Sequence, residues 1–370
     1  MPAAEQNYHA MRDELTTLTG IVRALLAERF TEVHAVTDVW LTLPSQDRRA
    51  LPSGRRTGPE PIANTLAGTV VVVDGAGLDD ASGRVALSEA CREVGLDPTG
   101  AELIRLGDYA TFRLADVRVV ARVSRNGRLF TDAAREVAVA RWLASVDVPA
   151  IPALDVDQPV IAEGRVVTFW ESVSDRPEYG TPVELAVLLR RLHRRAAPAE
   201  LDLPPVNPFR KALPRIEEAS GLSEDDRGFL RRRCGELVDA YAGLSFELVT
   251  GVVHGDASVG NVIRDRDGRP LFADLDGFAV GPREWDLVLT ALYFERFGWH
   301  TAEEYSAFVE AYGYDVMAWD GYPVLADVRE FLMVTWLSQN AATDPNVAEE
   351  LTRRISDLRT GASRNGWQPF

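Results

Sequence analysis

The chain has 370 residues, 46% of them apolar and 26% charged, with 56 acidic against 40 basic side chains and a net charge of −16. That length allows more than one compact unit. No apolar window reaches membrane-spanning length, and the acidic balance argues against nucleic acid or an anionic membrane as partner. Two cysteines, Cys91 and Cys234, cannot build a disulfide framework and read as buried apolar fillers. The N-terminus shows no export signal, so the cytoplasm is the expected compartment.

In chain order, Met11, Leu15, Leu18, Val22, Leu25, Leu26 and Phe30 recur at three and four residues and predict an amphipathic helix. VWLTL at 39–43 reads as a strand, and the Pro-, Gly-, Ser- and Arg-rich run that follows as a linker. VVVV at 70–73 predicts a buried strand, and 84–94 a helix that Gly95 stops. AELIRL, YATFRL and VRVVARV, within 101–123, predict an antiparallel meander. Residues 131–146 then read as a helix capped by Thr131 or Asp132, and the segments near 159–162 and 165–170 as two strands around the turn AEGR.

From about Pro182 the pattern is helical, with runs through VELAVLLRRLHRRA, SEDDRGFLRRRCGELVDAYAGL, 284–298, 302–313 and 324–340. One β-rich island, 248–280, interrupts it. The expected fold class is α+β: a small β-rich lobe, a connector and a larger helical lobe. Residues 1–80 form a further N-terminal extension, 81–170 the β-rich lobe and 171–370 the helical lobe.

The island carries the chemistry. In HGDASVGN, Ser258 has the trailing glycine of a nucleophile elbow but not the leading one, and only His300 follows it, so a hydrolase order fails. Asp256 and Asn261 stand five positions apart, the spacing of base and metal ligand in a kinase catalytic loop. After the hairpin VIRDRDGRPLFADLDG, whose D-G pair suits a tight turn, Asp274 stands where a second magnesium ligand belongs.

HGDxxxxN followed by D-x-D, with His254, Gly255, Asp256, Asn261, Asp274 and Asp276 at the matching places, resembles the aminoglycoside phosphotransferase and choline kinase family. The likeness extends through GPREWDLVLTAL and spans about residues 85–370. It implies a bilobal, protein-kinase-like fold. It also implies an ATP- and Mg2+-dependent transfer of phosphate to a hydroxyl of a small molecule, an aminoglycoside or another amino-bearing compound. By that resemblance Asp256 is the catalytic base, and Asn261 and Asp274 bind Mg2+. Asp276 is an accessory acid, His254 packs the loop, and Asp286 accepts hydrogen bonds from the loop backbone or caps its own helix.

ATP phosphates require a cation on the β-rich lobe aimed by an acid on the next helix, and Arg122 and Glu136 occupy those places. The single lysine of the chain, Lys211, lies outside any P-loop pattern, which excludes that type of nucleotide site. Gly107 marks the turn expected over the phosphates, and the connector from Phe169 through Glu171 to Val173 is expected to offer main-chain groups to adenine. Expected walls of the acceptor pocket are Glu284, Glu295 and Glu330 with Trp336, alongside Glu303, Glu304 and Trp299. A homodimer contact, if formed, falls to the N-terminal extension. The rival reading is a catalytically weak, pseudokinase-like binding or regulatory module.

Overall fold

The structure, a computed structural model, describes residues 78–369 apart from Asp108 and Asp116, all within the compact unit Val70–Phe370. The predicted helix at 11–30, the strands at 39–43 and 70–73 and the linker between them lie outside the described residues.

The N-terminal lobe opens with α1 (Asp80–Val94), held at one end by a capping box between Asp79 and Ser82 and at the other by Gly95 at φ 73°. Three strands follow, β1 (Glu102–Leu106), β2 (Tyr109–Arg113) and β3 (Val119–Ser124), then α2 (Phe130–Ser145), β4 (Val160–Ala162) and β5 (Arg165–Glu171). They make one antiparallel sheet in the order β1-β2-β3-β5-β4. The meander is thus as expected, and α2 packs against β5. One sheet face buries Phe112, Val123, Val160 and Phe169 against Ala86, Leu87, Ala90 and Cys91 of α1. Helix α2 starts one residue earlier than predicted. A 3₁₀ turn at Gly127–Leu129 runs straight into it, so no side-chain cap forms, and Asp132 sits inside the first turn paired with Arg135 at 3.0 Å.

The C-terminal lobe contains α3 (Pro182–Leu192), α4 (Ala212–Glu218), α5 (Glu224–Ala242), α6 (Glu284–Glu295), α7 (Ala302–Tyr312), α8 (Tyr322–Leu337) and α9 (Pro345–Thr360). Helices α4 and α9 have no counterpart among the predicted runs. α9 nevertheless carries a regular stripe, Val347, Leu351, Arg354 and Ile355, all buried. Between α5 and α6 lies the island: β6 (Gly251–Val253) pairs with β9 (Ala279–Gly281), and β7 (Val262–Arg264) with β8 (Pro270–Phe272). A second, larger core joins α2 to these helices through Trp142, Leu143, Phe272, Leu275, Leu287 and Phe331. The lobes are stitched where Ile151 donates its N–H to Phe272 and Phe272 donates to Pro149, at 2.8 and 3.0 Å. No helix among the described residues is long and apolar enough to cross a membrane.

Candidate active site

The loop after β6 is built around a buried carboxylate. Asp286, in the first turn of α6 and fully buried, accepts the N–H of His254 at 2.7 Å and of Gly255 at 2.9 Å. It also bonds His193 Nε2 at 3.0 Å, and the other imidazole nitrogen of His193 meets the Tyr312 hydroxyl at 2.8 Å. Burial, the largest influence, pushes the Asp286 carboxyl up, yet the His193 hydrogen bond, nearby histidine charge and the loop amides together hold it below its ordinary value. Of the two roles expected for Asp286, the geometry is that of loop holder; the residue flanking the helix is Arg283, which makes no side-chain cap.

Gly255 adopts φ 87°, and a Cβ there would stand 2.0 Å from the carbonyl oxygen of Gly277. This close crossing of the two loops sets Asp256 against the segment 274–277. His254 is fully buried between Phe272 and Phe278, with Nε2 at 3.0 Å from the Ala273 carbonyl. Its ring therefore braces the 254 loop against the 273 strand end, away from solvent.

Asp256 points outward, its side chain 56% exposed. Asn261 donates Nδ2 to the Asp256 carbonyl at 2.7 Å and to its Oδ2 at 3.2 Å. Asp274 follows β8 in the left-handed region at φ 53°, ψ 65°, an uncommon conformation for a non-glycine residue, and its side chain is 47% exposed. Asp276 is pushed up to about 7, first by burial and then by the charges of Asp274 and Glu136.

On the other lobe, Arg122 of β3 pairs with Glu136 of α2 at 2.5 Å and reaches toward Asp274 at 3.6 Å. Its guanidinium lies over the Tyr109 ring, 4.3 Å from the centroid. Arg122, Glu136 and Asp274 line a cavity of about 240 Å³ between the lobes, whose apolar walls include Ile104, Val120, Ile151, Trp170 and Leu275. The residues expected on the phosphate and metal sides are thus brought together in space across 152 positions of chain, from Arg122 to Asp274.

A family model described as the phosphotransferase enzyme family matches residues 105–328, more than half of the chain. The chain belongs to the phosphotransferase enzyme family. Its reaction class is phosphoryl transfer. Compared with curated proteins, the sequence finds no match. Among solved structures, the phosphotransferase is similar to the amicoumacin kinase hAmiN in complex with AMP-PNP, Ca2+ and Ami, at 14% identity over 74% of this chain and 91% of that one, with a TM-score of 0.57. It is likewise similar to the spectinomycin phosphotransferase APH(9)-Ia with ADP and spectinomycin, at 14% identity over 74% and 93% of the chains and TM-score 0.54. For the choline kinase LicA from Streptococcus pneumoniae the values are 13%, 73%, 98% and 0.52. These likenesses carry the bilobal, kinase-like fold.

Several expected site residues of the phosphotransferase stand elsewhere. Phe169 faces the α1 core rather than the cavity, and its backbone is already engaged: N–H to Gln158 Oε1 at 2.7 Å, carbonyl to the Leu154 N–H at 2.9 Å. Its neighbour Trp170 lines the cavity instead, with Glu171 beside it. Gly107 does not line the cavity and has no close neighbour that would forbid a side chain. Glu284 is fully buried, and its Oε1 accepts the N–H groups of Glu247 and Leu248, both at 2.7 Å, so it anchors a loop and forms no pocket wall. Glu330 is equally buried, with Arg296 Nη1 at 3.0 Å and Arg364 Nε at 3.4 Å. Glu295 accepts the Tyr322 hydroxyl at 2.7 Å, and Trp336 packs partly buried against the C-terminal core. Glu304 closes the capping box of α7, Glu303 is exposed in that first turn, and Trp299 donates to the Trp367 carbonyl at 3.0 Å.

Proposed function

We propose that this phosphotransferase moves the γ-phosphoryl group of ATP, with Mg2+, to a hydroxyl of a small, amino-bearing molecule. The observation that carries the reading is the approach of Arg122, already aimed by Glu136, to Asp274 in the lining of the interlobe cavity. The Asn261–Asp256 pair lies on the neighbouring loop. A planar guanidinium suits two phosphate oxygens at once, and the apolar walls around Trp170 suit a purine. The nucleotide is assigned to the lobe 81–170 and the acceptor to the lobe 171–370.

Asn261 through its amide oxygen and Asp274 through its carboxylate would hold the ion, with Asp276 as a further acid. Magnesium bound there would neutralise phosphate oxygens, and a set of one carboxylate and one amide, completed by water and phosphate, is what this ion favours. Asp256, exposed and steadied by Asn261, takes the proton of the acceptor hydroxyl while the oxygen attacks phosphorus. The net charge of −16 favours an acceptor bearing amines, although Glu284 and Glu330 are not the groups that meet them.

The test is ATP turnover against a broad panel of hydroxylated amines in the presence of Mg2+, coupled to the Asp274→Ala variant. One or more acceptors should be phosphorylated, and D274A should raise the Mg2+ concentration needed for half-maximal rate by about tenfold or more. An unchanged magnesium dependence in D274A would contradict the ligand assignment.

A further inference from the structure

Arg329 lies on α8, one residue beyond the end of the family match. Its side chain is 8% exposed and its guanidinium sits over the Trp285 ring, 4.3 Å from the centroid. The Trp285 indole N–H in turn holds the Gly255 carbonyl at 2.8 Å, and Arg329 Nη1 reaches the same oxygen at 3.5 Å. Nε and Nη2 are buried and make no hydrogen bond. Among the described residues, the carboxylate within ion-pair distance of Arg329 is that of Asp256, with Nη2 3.7 Å from Oδ1.

A guanidinium taken out of water needs a close, well-aligned carboxylate to offset its desolvation. Burial here pulls the proton affinity of Arg329 down, the direction expected where no partner compensates. An ion pair serving only stability would close to about 2.8 Å. This one stands open, on the exposed side chain that the reading above makes the proton acceptor. Oδ2 of the same carboxylate is held by Asn261, so Arg329 addresses the oxygen that Asn261 leaves alone.

We propose that Arg329 is a positioning residue for phosphoryl transfer, closing on Oδ1 of Asp256 so that the carboxylate is fixed between Arg329 and Asn261 and aimed at the acceptor hydroxyl. The inference rests on Asp256 as the base. In the step it serves, the acceptor O–H bond breaks and its proton passes to Asp256. A bond forms from the acceptor oxygen to the γ-phosphorus, and the bond from that phosphorus to the β,γ-bridging oxygen breaks, releasing ADP. Arg329 contacts neither phosphate nor acceptor; it acts through the carboxylate.

A double-mutant cycle tests this, with radiolabelled ATP and water as the acceptor, so that no other acceptor is needed. Arg329→Met, of similar length and apolar, should lower kcat on the order of 10- to 100-fold, the penalty for a base displaced by about 1 Å. The KM for ATP should stay within about twofold, and the melting temperature should be unchanged or higher, because an uncompensated charge has left the interior. In an Asp256→Asn background, R329M should cost less than about twofold further. An equal fold-loss in both backgrounds, or a melting temperature lowered by more than about 5 °C, overturns the proposal in favour of a structural arginine. Should R329M yield no folded protein, Arg329→Lys takes its place in the same cycle, with the same two outcomes. Full activity of D256N overturns this inference together with the base assignment, whereas an impaired D256N beside a fully active R329M overturns this inference alone.

Discussion

Replacing Asp286 by alanine removes the carboxylate on which the loop after β6 hangs. Two backbone N–H groups, the buried one of His254 and the part-buried one of Gly255, lose acceptors at 2.7 and 2.9 Å, and His193 loses its partner at 3.0 Å. At roughly 1–3 kcal/mol for each unsatisfied buried group, the two amides alone predict a loss of about 2–6 kcal/mol. Equilibrium urea unfolding followed by tryptophan fluorescence measures it as a shift in midpoint at constant slope. The pH dependence adds a second check. The folded carboxyl lies below its ordinary value of 3.8, so its stabilisation is fully present above about pH 4 and is lost as pH falls through the folded value. The gap between wild type and D286A should therefore be widest near neutrality and narrow below about pH 4. A loss under about 1 kcal/mol, or a gap that widens on acidification, would refute the reasoning.

Gly255→Ala should cost about 3 kcal/mol or more and disable transfer, since its Cβ would stand 2.0 Å from the Gly277 oxygen at a φ of 87°; a denaturation midpoint equal to wild type would contradict the loop crossing. Cys91, fully buried with its thiol pushed up to about 11 by burial and then by Asp97, and Cys234, also buried, should both resist a thiol reagent in the native protein and react after unfolding. Rapid labelling of either in native buffer would show that the corresponding core is open.

Much of the site was legible because its central members are local. Asp256 and Asn261 share one loop, and the hairpin that carries the chain to Asp274 is announced by its own turn residues. Arg122 and Glu136 were readable through their places on a strand and the next helix. Two of the misassignments, Phe169 and Glu284, share a physical cause: an element buried all round has no polar face by which to phase it. β5 is buried at six successive positions, Arg165 to Trp170, so alternation could not tell Phe169 from Trp170. α6 is buried from Glu284 to Leu292, and Glu284 looked like a wall because nothing in the pattern marked it as interior. Val120 had a usable signal, lying two residues before Arg122 and so on the same strand face. His193 and Arg329 had none, because each is brought to the loop from more than 60 residues away in sequence. The overlooked α9 did carry a helical stripe ending in Ile355.

The central claim is that Asp256 is the base of a phosphoryl transfer whose nucleotide lies on the far side of Asp274. Measuring transfer and nucleotide affinity together in Asp256→Ala tests it most directly. The account predicts that transfer to an acceptor found in the panel of hydroxylated amines falls by a factor on the order of 100 or more, while the Kd for ATP with Mg2+ stays within about twofold. Transfer at near wild-type rates, or a loss of nucleotide affinity as large as the loss of rate, would contradict it.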